Sequence, residues 1–273
     1  LYQMINKLSC KSFYLIIYIY YYRVRNFMEL NLTEDLEKIA MVVTAHPDDA
    51  EWGCSGSVAK WTRLGWEVIY VLITDGSKGT EDRSISSKQL SEIREKEQRD
   101  AGEILGLKAV EFLGYPDGYL EPTLDVRKDI SREIRRYKPS ILITTNPNRD
   151  LQSSGYIGHP DHFAAGEAAL SAVFPSARDH LTFPDLLEEG FEPHKVKQVW
   201  INMFNMGNNA NPNYFFNPLE KVDVDKATEA LLAHTSQISD PEQARKFHQQ
   251  RRVEVGKICN SDYAEAFAKF ELG

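Results

Sequence analysis

Glu67 to Thr74 reads EVIYVLIT, a run of β-branched and aromatic residues almost without polar interruption. A strand with one face in water alternates apolar and polar positions. A run that is apolar at nearly every position must be covered on both faces. Shorter runs of the same kind recur at Ile39–Thr44, Ala109–Leu113, Ser140–Thr145 and Val199–Phe204. Helical patterns separate them, at Ser57–Leu64, Ser86–Leu105 (stopped by Gly106), Asp125–Tyr137 and the segment from His159 to Phe174. Strands alternating with helices imply an α/β fold, a Rossmann-like and mostly parallel sheet with helices on both faces of a single domain. At 273 residues the chain can bury such a core. Two further helical stretches, Asp225–His234 and Pro241–Cys259, are expected to close the chain.

Ligands of such folds gather outside the carboxyl ends of the strands, where the strand order reverses. Two polar clusters fall at that kind of position. His46-Pro47-Asp48-Asp49 follows the first strand, and His159-Pro160-Asp161-His162 follows the loop after the fourth. Each cluster alone reads equally well as a capped turn, with Asp as a helix cap or Pro at the first helical position. Together they suggest more. His46 and Asp49 share an i, i+3 spacing, as do His159 and His162, so a helical turn would project each pair to one side. Two imidazoles and a carboxylate at one crevice match the open three-ligand zinc site of hydrolases. A divalent cation would also relieve the repulsion between Asp48 and Asp49. One of the two would bind it, and the other would accept a proton from water. With His162 as a ligand, His159 in its protonated form would be left to stabilise a developing oxyanion.

Around these clusters the chain carries AHPDDAE, LTDGSKGT-like residues at Ile73–Thr80, REKEQRDAGEILG, LGYPDG and GHPDHFAAG, followed by AHTSQ and YAEAF near the C-terminus. In this combination, from about Ile39 to Phe267, the chain resembles the LmbE-like/PIG-L family of zinc-dependent N-acetylglucosaminyl deacetylases. The resemblance implies that His46, Asp49 and His162 hold Zn2+, with Fe2+ as an alternative metal. It implies that Asp48 is the general base and that His159 stabilises the oxyanion or protonates the leaving amine. Asp161 would orient a histidine, and Glu51 would support the ligands from behind. Arg94 and Asp117 would bind sugar hydroxyls. Some members carry a tyrosine two residues before the first His of HPDH. Here Ile157 holds that position and Tyr156 lies one residue earlier, which leaves Tyr156 a candidate for the substrate. His234, in AHTSQ, is a candidate for reaching this site or a neighbouring subunit's.

The implied reaction is removal of acetyl from an N-acetylglucosamine-type sugar, with release of acetate. Small soluble chito-oligosaccharides or glycosides are the expected substrates. A thiol-precursor glycoside, lipid-linked glucosamine or a non-catalytic sugar-binding relative are the alternatives. A nucleotide-dependent enzyme is disfavoured, because Gly53–Gly56 (GCSG) lacks the full G-x-G-x-x-G spacing. Cys54 reads as a small buried residue, and His180, His194 and His248 as structural or exposed. The net charge of −8 and the absence of a Lys/Arg-rich run argue against nucleic acid as a partner. The three cysteines lie far apart with no CxxC spacing, which suits a reducing, cytoplasmic setting. The family habit favours a homo-oligomer, a trimer or hexamer.

Residues 1–27 stand outside this reading. They hold a ten-residue apolar-aromatic run, Phe13–Tyr22, flanked by Lys7, Lys11, Arg23 and Arg25. The run is too short to span a membrane, which takes about 20 apolar residues, and no signal-cleavage pattern follows it. It reads as an extension of no functional consequence, with a membrane-surface anchor or an oligomer contact as alternatives. The deacetylase-like domain is expected to occupy residues 28–273.

Overall fold

The structure, a computed structural model, describes residues 36–149, 157–203 and 214–273. The expectations for the N-terminal extension and for Tyr156 fall outside those residues. From Lys38 onward the described residues belong to one compact unit. Among them no helix is long and apolar enough to cross a membrane.

Among the described residues seven strands make one sheet: β1 (Ile39–Thr44), β2 (Glu67–Thr74), β3 (Ala109–Tyr115), β4 (Ile141–Thr144), β5 (Gln198–Asn202), β6 (Tyr214–Leu219) and β7 (Tyr263–Glu271). Their order across the sheet is β3-β2-β1-β4-β5-β7-β6. β1 pairs in parallel with both β2 and β4, with Met41 opposite Ile69 on one side and Leu142 on the other. The chain therefore leaves β1 outward in one direction and returns to its other side at β4, which makes the β1/β4 boundary the switch point.

The helices of the described residues are α1 (Asp49–Gly53), α2 (Ser55–Arg63), α3 (Ser87–Leu105), α4 (Leu124–Tyr137), α5 (Pro160–Ser171), α6 (Pro184–Glu188), α7 (Lys221–Leu232) and α8 (Pro241–Ile258), and α5 runs into a kink at Phe174, whose backbone is extended. On one face of the sheet Met41, Val43, Ile69 and Val71 pack against Val126, Ile130 and Ile134 of α4 and Ala165, Ala168 and Ala169 of α5. The intervening strand residues, Ala40, Val42, Val68, Tyr70 and Leu72, point to the other face and are equally buried. That face is covered by α2 and α3, on which α7 packs in turn. Both faces are thus dry, as the unbroken apolar runs require.

The C-terminal end departs from expectation. A strand, not a helix, closes the described chain, and β7 enters the sheet antiparallel between β5 and β6. Glu265, in the middle of β7, is buried and accepts the backbone N–H groups of Gly56 and Ser57 at 2.9 and 2.7 Å. A carboxylate at the start of α2 meets that helix's unsatisfied donors and its positive dipole end, each effect contributing about 1 kcal/mol. Arg252 of α8 balances its charge at 2.5 Å.

Candidate active site

β1 stops at Thr44, and the chain turns immediately. The backbone N–H of His46 donates to Asp49 Oδ2 at 2.9 Å, which closes the turn that starts α1. Within it Asp48 adopts φ 88° and ψ −22°, in the left-handed region. For a non-glycine residue this costs on the order of 1 kcal/mol or more and persists only where neighbours enforce it. Two side chains of α3 do so. Gln98 Oε1 accepts the Asp48 N–H at 3.0 Å. Arg94 donates to the carbonyls of Pro47 (2.5 Å) and Gly76 (3.0 Å) and lies 3.5 Å from Asp48 Oδ2.

Across the switch point, α5 begins at Pro160 with His159 as its cap. His159 Nδ1 accepts the N–H of Asp161 at 3.2 Å, so the ring hydrogen is assigned to Nε2. One turn further on, His162 faces back towards β1. The two segments meet: His46 Nδ1 lies 3.3 Å from His162 Nε2 and 3.5 Å from Asp49 Oδ2, and His162 Nε2 lies 3.0 Å from Asp49 Oδ1.

These three residues fit a divalent metal. Ligand atoms about 2.0–2.2 Å from a tetrahedral ion stand roughly 3.4 Å apart, close to the triangle found here. The other nitrogen of the first histidine is also engaged. His46 Nε2 faces Asp117 Oδ1 at 3.0 Å and Asp161 Oδ2 at 3.3 Å. A carboxylate there fixes the hydrogen on Nε2, aims Nδ1 at the metal position and makes it more basic. His46, His159 and Asp161 also lie close enough to form a ligand set. That set would use the nitrogen of His46 that the two carboxylates occupy, and we favour the first.

The electrostatics point the same way. Burial opposes a charge on His46, yet its contacts with Asp117, Asp161 and Asp49 push its pKa up to about 12. Burial likewise opposes a charge on His162, and Asp49 raises it. Burial would raise Asp49, but His162 and His46 hold it well below the usual carboxylate range. Asp117 resists its burial through His46 and falls to about 2. The crevice is built for positive charge. Asp48 differs: burial, reinforced by Asp49 and opposed by Arg94, pushes it up to about 6, where a carboxylate is a useful base. His159 is lowered, by burial and then by repulsion from His46. Its Nε2–H is left as the ring donor by the bond that Nδ1 accepts from the Asp161 N–H.

The remaining expected residues divide. Asp161 reaches across to His46 and is itself held by the N–H groups of Gly118 (2.7 Å) and Leu120 (3.4 Å). Asp117 is almost fully buried, and its oxygens address His46 and the N–H of Lys78. Arg94 braces the Pro47–Asp48 turn. His234 has no exposed surface and faces Glu51 Oε2 at 3.3 Å, behind the crevice wall. Gln98 was missed altogether. Its signal was a polar side chain on the buried stripe of α3, four residues after Arg94 and in line with Leu90 and Ala101.

Fold and site together describe an α/β protein with a His-Asp-His group that could hold a metal ion and an adjacent buried carboxylate at its switch point. The family model described as PIG-L, GlcNAc-PI de-N-acetylase, matches residues 41–173. Diacetylchitobiose deacetylase of Thermococcus kodakarensis is 32% identical over 233 residues, covering 85% of this chain and 82% of that protein. A probable N-acetyl-alpha-D-glucosaminyl L-malate deacetylase 2 of Bacillus anthracis is 30% identical, covering 74% and 83%. Among solved structures, N,N'-diacetylchitobiose deacetylase from Pyrococcus horikoshii, complexed with its inhibitor MPG, superimposes with a TM-score of 0.76. It is 27% identical, with 88% of this chain and 85% of that one covered. The chain belongs to the PIG-L (LmbE-like) family of deacetylases.

Proposed function

We propose that the protein is a divalent-metal-dependent hydrolase that removes the acetyl group from a small, soluble N-acetylglucosamine-type sugar and releases acetate. The observation that carries this reading is the triangle of His46 Nδ1, Asp49 and His162 Nε2, with Asp48 next in sequence and held separately by Arg94 and Gln98. The relatives named as deacetylases of diacetylchitobiose and of an N-acetylglucosaminyl malate support the substrate class.

His46, Asp49 and His162 would hold the metal, with zinc the expected ion. Such an ion supplies Lewis-acid polarisation of the amide carbonyl and acidifies water at its open position. Asp48 takes the proton from the attacking water. His159, through its Nε2–H, donates a hydrogen bond to the developing oxyanion, and the proton held by Asp48 passes to the departing amine. Asp117 and Asp161 keep the first histidine in one tautomer. We assign this chemistry to the domain from residue 28 onward, in a cytoplasmic homo-oligomer.

Metal analysis of the purified protein, followed by acetate release from a panel of N-acetylated sugars, tests the reading. About one divalent ion per chain is expected, with acetate released from diacetylchitobiose or a related glycoside and the activity lost on chelation. Metal-free protein with full activity would overturn it, as would metal-loaded protein inert towards every N-acetyl sugar. Light scattering tests the oligomer.

A further inference from the structure

Asp48 depends on a backbone conformation that its own sequence does not favour. At φ 88° its N–H joins neither the β1 ladder nor the hydrogen bonds of α1, and it needs an acceptor from elsewhere. Gln98 Oε1 is that acceptor, but a carboxamide offers a donor at one end and an acceptor at the other. Turned the wrong way, it would set its NH2 against the Asp48 N–H. Gln98 Nε2 donates to Glu51 Oε1 at 3.1 Å, and a carboxylate accepts only, so Glu51 fixes which end of Gln98 faces Asp48. Glu51 in turn has no exposed surface, and His234, equally buried, faces its other oxygen at 3.3 Å. The two residues after His234 secure the neighbouring side chain of α3: Glu97 accepts from Thr235 Oγ1 at 2.8 Å and from Ser236 N–H and Oγ at 2.7 Å.

We propose that Gln98, oriented by the buried Glu51–His234 pair, is a positioning residue that holds Asp48 in its left-handed conformation and so aims its carboxylate. The three residues share no surface with solvent, so none of them touches substrate. They act through Asp48 alone. The proposal rests on Asp48 being the base, but the contacts themselves can be tested without turnover.

The test exploits the direction of the chain of donors and acceptors. Gln98→Met removes the acceptor at similar volume. Gln98→Glu combined with Glu51→Gln reverses the pair. The carboxylate at 98 then accepts from both the Asp48 N–H and the amide at 51, and that amide's oxygen accepts from His234. Net charge, volume and the hydrogen bonds from the Asp48 N–H to 98 and between 98 and 51 are conserved, while the negative charge moves from 51 to 98. Three quantities are read: metal content, kcat and KM separately, and amide hydrogen exchange of the segment containing Asp48. Gln98→Met is expected to keep its metal and KM, to lose about 100-fold in kcat, as a misplaced catalytic group does, and to exchange the Asp48 amide faster. The reversed pair is expected to restore both kcat and protection. Gln98→Met with wild-type kcat and protection would overturn the proposal, as would a folded reversed pair no better than Gln98→Met. If wild-type protein shows no deacetylation at all, the functional reading fails, while amide exchange still decides the positioning role.

Discussion

His46 Nδ1 and His162 Nε2 stand 3.3 Å apart although 116 residues separate them along the chain. The sheet brings them together. β1 and β4 run parallel as neighbours, so the loops leaving their carboxyl ends emerge side by side, and one histidine rides on each. Asp49 closes the triangle from the first loop. The next residue back, Asp48, is turned aside by its left-handed backbone and is available for a different task.

That division predicts a clean separation of effects at adjacent aspartates. Asp48→Asn should leave the metal content unchanged and lower kcat by about 10²–10⁴-fold, the usual contribution of a general base. Asp49→Asn should lose metal. The pH profile carries a sign as well. A base works deprotonated, so kcat rises with pH through its pKa. Burial sets that pKa near 6, and a neighbouring cation can only lower it. The acid limb of kcat is therefore expected at or below about pH 6. A limb well above that value would assign it to another group.

Much of this arrangement was legible in the sequence, for reasons that also mark the limits. β1 and β2 begin and end at the expected residues, because runs buried on both faces leave little room for ambiguity. β7 escaped notice, although Ala264–Phe267 at its centre is buried at every position. Its alanines and glutamates have low strand propensity, and only the pairing with β5 and β6 makes the segment a strand. Pro218 similarly disguised β6, an edge strand where proline is tolerated. At the site, the i, i+3 spacing pointed by an incomplete route to histidines that the fold brings together. His159 is a cap outside the helix, and Asp48 interrupts the first turn with a positive φ. The supporting contacts, Asp161 to His46 and Gln98 to Asp48, cross 115 and 50 residues, a separation that no local pattern encodes.

The carboxylates behind His46 should matter to the metal more than to the chemistry. Asp161→Asn removes a negative charge from Nε2 of the first ligand while keeping the side chain's volume. Metal affinity is expected to fall by about 10–100-fold, the range seen when such supporting carboxylates are changed. Competition with a chelating dye measures it. Unchanged affinity would mean that Asp161 serves only the Gly118–Leu120 turn.

His248 predicts how stability responds to acid. Its ring is buried between Thr228 Oγ1, at 2.9 Å, and the Glu51 carbonyl, at 3.0 Å, with Trp52 and Arg252 beside it. Burial, and then repulsion from Arg252, holds its pKa well below the ordinary 6.5. The unfolded chain therefore takes up a proton near pH 6.5 that the native ring refuses. Its contribution is present above that pH and is lost as the pH falls below it, by up to about 1.4 kcal/mol per unit. Denaturant unfolding of wild type and His248→Gln between pH 7 and 5 should show the shallower pH dependence in the variant. Parallel curves would contradict the assignment.

The last prediction concerns the helix that delivers His162. α5 passes so close to the end of β4 that a Cβ on Gly166 would lie 2.5 Å from the Thr145 carbonyl oxygen and 3.0 Å from the Pro147 nitrogen. Both are backbone atoms, which cannot swing aside as a flexible side chain would. On helix propensity alone, alanine at this position should stabilise by about 1 kcal/mol. The clash opposes that gain, since overpacking a tight contact costs about 1–3 kcal/mol. The contact wins, because relief requires α5 to move away from β4 as a unit. The same movement stretches the bond from Thr145 Oγ1 to the His162 carbonyl, now 2.7 Å, and carries His162 away from His46 and Asp49. Gly166→Ala is therefore expected to lower both Tm and metal affinity, although it touches no ligand. A variant with raised Tm and wild-type affinity would show that the helix accommodates the methyl group in place.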